Sequence, residues 1–158
     1  MIEIKRILVP LDGSPLAEKA LPLATTLAQK FECQIILLQV LHFLIPTVSA
    51  PYQHFPGWVV ENRKYARQEA ERYLQACQDE LRQQGLEVKI LLREISPAED
   101  IIDVATTEQV DLIVMSTHGL GGLARWAIGS VADKVARHSP CPVFLVRQDG
   151  VNRRSEEL

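Results

Sequence analysis

Nowhere does the sequence run apolar for the roughly 20 residues that a bilayer-spanning helix requires, so no transmembrane segment is expected. Its opening stretch carries Glu3, Lys5 and Arg6 where a secretory signal would hold its apolar centre, and the expected location is the cytoplasm. Cysteine is scarce: Cys33, Cys77 and Cys141 are odd in number, far apart and without a CxxC pair. That pattern suits small buried thiols in a reducing compartment and gives no disulfide framework or zinc site. His42, His54, His118 and His138 show no HExxH or paired spacing, which leaves metal ligation without support. Positive charge is not in excess either. A net charge of −3 gives no electrostatic reason to expect nucleic acid or an anionic membrane as partner. Any anion must be held locally, by a few placed groups.

What is present fits one globular domain. The chain has 158 residues, 47% hydrophobic and 23% charged, enough to bury a core without staples. "IKRILVPLD" is a short apolar run, read as a first strand over Ile4 to Pro10. Ser14 followed by Pro15 starts a helix whose apolar face takes Ala17, Ala20, Leu21, Ala24, Leu27, Ala28 and Phe31, with a kink or irregular first turn expected at Pro22. "CQIILLQVLHF" has the look of a strand covered on both faces. Residues 43–58, broken by prolines, form a long loop. A helix then runs from about Val59 to Gln84, with Ala66, Ala70, Tyr73, Leu74, Cys77 and Leu81 inward and Gly85 as its cap.

"LEVKILLRE" alternates as a third strand, and Ser96, Pro97 and Glu99 spell a capping box for the next helix. "DLIVMS" is a fourth strand, residues 131–138 a last helix and "CPVFLVRQ" a fifth strand. This alternation implies parallel strands joined by right-handed crossovers, with helices on both faces. Residues 1–149 are expected to form a single domain and 150–158 a polar tail. Ligands of open parallel sheets sit beyond the carboxyl ends of the strands, where the winding reverses. Two stretches lie there: Pro10 to Gly13, and Ser116 to Gly122.

The second stretch begins a glycine-rich segment, "MSTHGLGGLARWAIGSVADKV", open to three readings. It is a flexible loop whose glycines serve turns and a cap; or a dinucleotide fingerprint from Gly119, Gly121 and Ala124; or a phosphate cradle ending at Gly129 and Ser130. The fingerprint is weakened because the helix does not start at once and no acidic residue follows at the ribose distance. A Walker loop is excluded, since no GK[ST] occurs. For the cradle, Ser130 with Asp133 satisfies a capping signature, and Gly129 without a side chain lets an anion approach the backbone. A helix N-terminus there supplies about half a positive charge and free N–H groups. Arg125 and Trp126, inside the spacer, are read as solvated and packed respectively.

These residues resemble the universal stress protein family, whose ATP-binding members carry a motif like G-x2-G-x9-G-[ST] after the fourth strand. "STHGLGGLARWAIGSVADKVARHSPCPVFLVR" follows that register, with Ser116 where the first glycine stands, then Gly119, Gly129 and Ser130. "ILVPLDGS" resembles the family's first strand and aspartate, and "IILLQVLH" its second strand. The resemblance implies an α/β fold: an open parallel five-stranded sheet, Rossmann-like or flavodoxin-like, in the order 3-2-1-4-5. It also implies an adenine nucleotide, ATP with Mg²⁺ across its phosphates. Asp12 would take the ribose or a nearby cation, the Val40 backbone the adenine edge, and Pro10 with Val9 the floor. Gly119, Gly129, Ser130 and the Val131 amide would hold phosphates, with Ser116, His118 and Gly122 completing the site.

The resemblance further implies a homodimer through the last strand, residues 141–147, with Val143, Leu145 and Val146 at the interface. Three functions stay open: an ATP-binding stress or signalling module with at most slow hydrolysis, a dimer of the same fold working by protein contacts alone, and an ATP-using enzyme. For the last, "PLDGSP" is a poor phosphate loop, and nothing orients His118 as an acid or base.

Overall fold

The computed structural model describes residues 3–43, 56–118 and 128–147, with residues 56–60 described by backbone only. Five strands, β1 (Arg6–Leu11), β2 (Gln34–Val40), β3 (Val88–Arg93), β4 (Leu112–Ser116) and β5 (Val143–Val146), form one parallel sheet in the order β3-β2-β1-β4-β5. Between them come α1 (Pro15–Glu18), α2 (Leu21–Phe31), α3 (Pro56–Gln83), α4 (Pro97–Thr107) and α5 (Ser130–His138). Among the described residues no helix is long and apolar enough to cross a membrane.

Side chains of a strand alternate between faces, and β1 feeds two cores accordingly. Ile7, Val9 and Leu11 join Ala17, Ala24 and Ala28 of α1 and α2 and Leu74 and Leu81 of α3. Leu8 joins Ile101 and Val104 of α4 and Ala132 and Val135 of α5. All of Ile7, Leu8 and Val9 are fully buried, as a strand covered on both faces requires. Phe31, at the last position of α2, departs from the expected inward face and is exposed. The three thiols are unpaired, Cys33 buried and Cys77 and Cys141 half-buried. Burial pushes each of them up from its ordinary value, which suppresses the reactive thiolate.

Three local expectations change. The helix after Ser14 is two helices, not one with a kink: Pro22 has no N–H to give the Glu18 carbonyl, so α1 ends there and Pro22 falls in the first turn of α2. The long helix starts at Pro56, ahead of Val59, and Gly85 closes it at φ +82°. At α4 the Ser96 hydroxyl makes no cap; it pairs with Glu99. Asp100 instead turns back, its Oδ2 accepting from Ile95 N and Ser96 N at 3.0 Å each.

The sheet parts where the site lies. The Lys5 carbonyl accepts from Gln34 N of β2 at 2.9 Å, and the Arg6 carbonyl from Asp111 N beside β4 at 3.0 Å. Odd residues of β1 therefore turn their backbone groups to β2 and even ones to β4. Pro10 is even, so the N–H it lacks is one that β4 would need. Register with β2 runs from Arg6–Gln34 to Leu11–Gln39, whereas register with β4 holds at Ile7–Leu112 and Leu8–Ile113 and then stops. A proline in a central strand is tolerated here because its bare side faces a gap.

Candidate functional site

That gap opens into a cavity of about 500 Å³, within the range of small-molecule pockets. Its wall is built from the carboxyl ends of β1, β2 and β4 and the first turns of α4 and α5. Of the residues singled out in the sequence, Pro10, Asp12, Val40, Ser116, His118, Gly129, Ser130 and Val131 all line it. Gly119 and Gly122, with Gly121, Ala124, Arg125 and Trp126, lie outside the described residues. Val9 is not in the wall; it is odd in β1 and buried against the other core.

Asp12 is fixed by its own turn. Its Oδ1 accepts from Ser14 N at 2.9 Å and from Ser14 Oγ at 2.5 Å. Ser14 Oγ in turn accepts from Ala17 N at 3.1 Å, capping α1. Gly13 between them stands at φ +81°, a conformation that side chains rarely tolerate, which is why a glycine follows the aspartate. The turn chemistry and the site chemistry thus coincide: the Asx bonds hold a carboxylate at the cavity wall.

At the far side, α5 presents its N-terminus. Gly129, not Ser130, is the cap: its carbonyl accepts from Asp133 N at 2.9 Å, and Ser130 is the first helical residue, with no side-chain capping bond at this end. Asp133 is spent on Arg137, at 2.9 and 3.1 Å. The Gly129 amide is likewise committed, to the Thr117 carbonyl at 2.8 Å. The amides that the first helical turn leaves over are those of Ser130, Val131 and Ala132, and all three residues line the cavity. A phosphate held here would meet those N–H groups and the Ser130 hydroxyl, and not the amide of Gly129.

Ser116 ends β4 with its side chain buried, its Oγ accepting weakly from His118 N at 3.4 Å. Thr117 N bonds the Val146 carbonyl at 3.0 Å, and Thr117 Oγ1 lies 2.9 Å from His118 Nδ1. At the β2 side, Gln34 and its even successors turn their backbone groups to β1, so the Val40 carbonyl faces the place where β1 has ended.

Among the described residues the wall contains three titratable side chains, Asp12, His42 and His118, and no lysine or arginine. Thr117 falls inside the stretch Ser116 to Gly122 but has no role assigned from sequence; sequence reasoning missed Ala132 and His42, and the apolar surface of Leu38, Leu41, Pro97, Ile101 and Met115. Strand parity could have supplied Leu38, which shares a face with Val40. Pro97 and Ile101 had no signal, because only the packing of α4 on β2 brings them in.

The match of the chain to known proteins is extensive. The profile described as the Universal stress protein family covers residues 3–147. A universal stress protein of Methanocaldococcus jannaschii, MJ0531, is 31% identical over 144 residues, 91% of this chain and 82% of that protein. The solved structure of UspA from Lactobacillus plantarum superposes with a TM-score of 0.79 at 25% identity, covering 92% of this chain and 99% of the other. A universal stress protein solved in complex with cAMP shares the fold, with a TM-score of 0.63 at 22% identity and 92% and 98% coverage.

Proposed function

The chain belongs to the universal stress protein family, and on that footing we propose that its cavity binds an adenine nucleotide, ATP with Mg²⁺, to set the conformation of a stress-response or signalling module. One observation carries the reading: a carboxylate anchored at the end of β1 and three amides at the start of α5 that have no partner among the described residues line one cavity. Such a pair suits a ligand with a sugar at one end and an anion at the other.

The residues fit a magnesium nucleotide in kind. Asp12 is the described carboxylate in the wall, and a hard cation prefers oxygen ligands shared with phosphate. When bound, Mg²⁺ would offset phosphate charge in a wall whose described residues include no lysine or arginine. The described wall holds one hydroxyl–imidazole pair, Thr117 Oγ1 and His118 Nδ1 at 2.9 Å, but no third group among the described residues orients the imidazole, which suits at most slow turnover.

Titration with ATP, ADP and AMP, with and without Mg²⁺, followed by thermal unfolding, tests the reading. A ligand at 100 times its Kd adds about 2.7 kcal/mol of stability. Unchanged melting across millimolar nucleotide would favour the other reading, a dimer working through protein contacts. That dimer is proposed through β5 and its flanks, residues 141–147, in either case. Val146 is buried, and Val143 and Leu145 pack inward, so the side chain offered at this edge is Phe144, 51% exposed. Phe144→Asp should lower the mass seen by light scattering from dimer to monomer.

A further inference from the structure

The resemblance gives the adenine edge to the Val40 backbone but names no side chain that reads it, and the β2 end of the cavity offers one. On that side of β1 the wall consists of Leu38, Val40, Leu41, His42, Pro97 and Ile101. His42 is the one polar side chain among them. The polar groups Asp12, Ser116, Thr117, His118 and Ser130 stand on β1, β4 and α5. A nucleotide with its phosphates at α5 therefore sets its base in the apolar half, beside His42.

The neighbour of His42 favours one tautomer. His42 Nδ1 lies 3.4 Å from the carbonyl oxygen of Ile95, in the turn between β3 and α4. A carbonyl only accepts, so Nδ1 carries the proton, and in a neutral ring Nε2 is then an acceptor. Two residues earlier on the same strand, the Val40 carbonyl is a second acceptor facing the β1 side; Leu41 N still bonds the Arg93 carbonyl at 2.8 Å, which keeps the strand's alternation to that point. Among the described residues this end of the cavity offers lone pairs, and its one side-chain donor, His42 Nδ1, is turned to Ile95.

We infer that His42 is a specificity-determining residue that accepts through Nε2 from the 6-amino group of adenine, so that a 6-amino purine is taken over a 6-oxo purine. The amino group brings N–H donors to these acceptors. A 6-oxo group would set its lone pairs against that of Nε2 and leave the ring nitrogen without its bond. The inference rests on the nucleotide reading of the same cavity.

Calorimetric titration of the full chain with ATP and with inosine triphosphate, its 6-oxo counterpart, tests it. The expected preference for ATP is about tenfold, the scale of one hydrogen bond made against one refused. His42→Leu should bring the two affinities together by weakening ATP, with unchanged melting of the free protein because His42 is exposed. His42→Gln, whose amide can turn either face to the base, should bind both purines comparably. Equal binding of the two triphosphates by the unaltered protein, or a preference that survives His42→Leu, overturns the inference while leaving the site standing. Absence of binding by either triphosphate removes the site and the inference together.

Discussion

Gly129 donates its amide to the carbonyl oxygen of Thr117 at 2.8 Å, and a Cβ built on Gly129 would stand 2.9 Å from that same oxygen. The missing side chain therefore serves the docking of α5 against the end of β4. At φ −59° the glycine is under no conformational demand, so the clash alone decides the effect of a substitution.

Gly129→Ala is accordingly expected to push α5 away from Thr117 and cost about 1–3 kcal/mol, the usual penalty for overpacking. In a chain of this size that is a fall in Tm of roughly 2–4 °C per kcal/mol. Thermal unfolding of the free protein checks it. A variant that melted normally yet lost nucleotide would place the glycine at the ligand after all.

Asp12 separates turn from site. Asp12→Asn keeps an oxygen for Ser14 N and Ser14 Oγ but removes the charge. It should melt within about 0.5 kcal/mol of the original, as substitutions outside strained or buried features do. Its nucleotide-induced stabilisation should lose its dependence on Mg²⁺. Asp12→Ala breaks the turn as well and should cost about 1 kcal/mol in the absence of any ligand.

The start of α4 tests which side chain holds the backbone that enters it. Asp100 is buried and accepts from two backbone amides, whereas Ser96 Oγ faces Glu99 at the surface. Asp100→Ala should cost about 1–3 kcal/mol in urea unfolding, because two amides lose their acceptor. Ser96→Ala should cost less than about 0.5 kcal/mol. Equal effects would restore Ser96 as the cap.

Glu99 gives a pH signature. Its bond to Lys134, and secondly that to Ser96, holds its carboxyl at about 2, down from 4.5. A folded value below the unfolded one means the contribution is complete above pH 4.5 and disappears as pH falls toward 2. The pair is solvent-exposed, so salt should weaken it. Carboxyl titration by NMR should show Glu99 moving back toward its ordinary value in Lys134→Ala, and partway back in high salt. A titration insensitive to both changes would contradict the pairing.

The order of strands and helices was legible because Pro15, Pro97 and Gly85 punctuate clear hydrophobic periods, and the family motif supplied the sheet order. Boundaries at the helix starts were not. Ser130 and Asp133 read as a capping box, but Arg137 takes the carboxylate of Asp133 and the cap passes to Gly129. Ser96 with Glu99 reads the same way, yet Asp100 one residue on reaches the amides first. Several residues at short spacing can satisfy the same orphan donors, and only packing selects among them. Site residues at the motif positions themselves, such as Asp12, Gly129 and Ser130, came through, whereas His42 and Ile101 did not, because their membership depends on α4 and the turn after β3 closing over the end of β2.

Pro10 has a consequence for how the cavity behaves when empty. Because the separation of β1 from β4 follows from an atom the backbone does not possess, no rearrangement of side chains can zip the two strands together. The crevice is a permanent seam, and a ligand entering it spends nothing on prying the sheet apart. On the proposed function, occupancy is reported through the elements that border the seam, above all the attachment of α5 at Thr117.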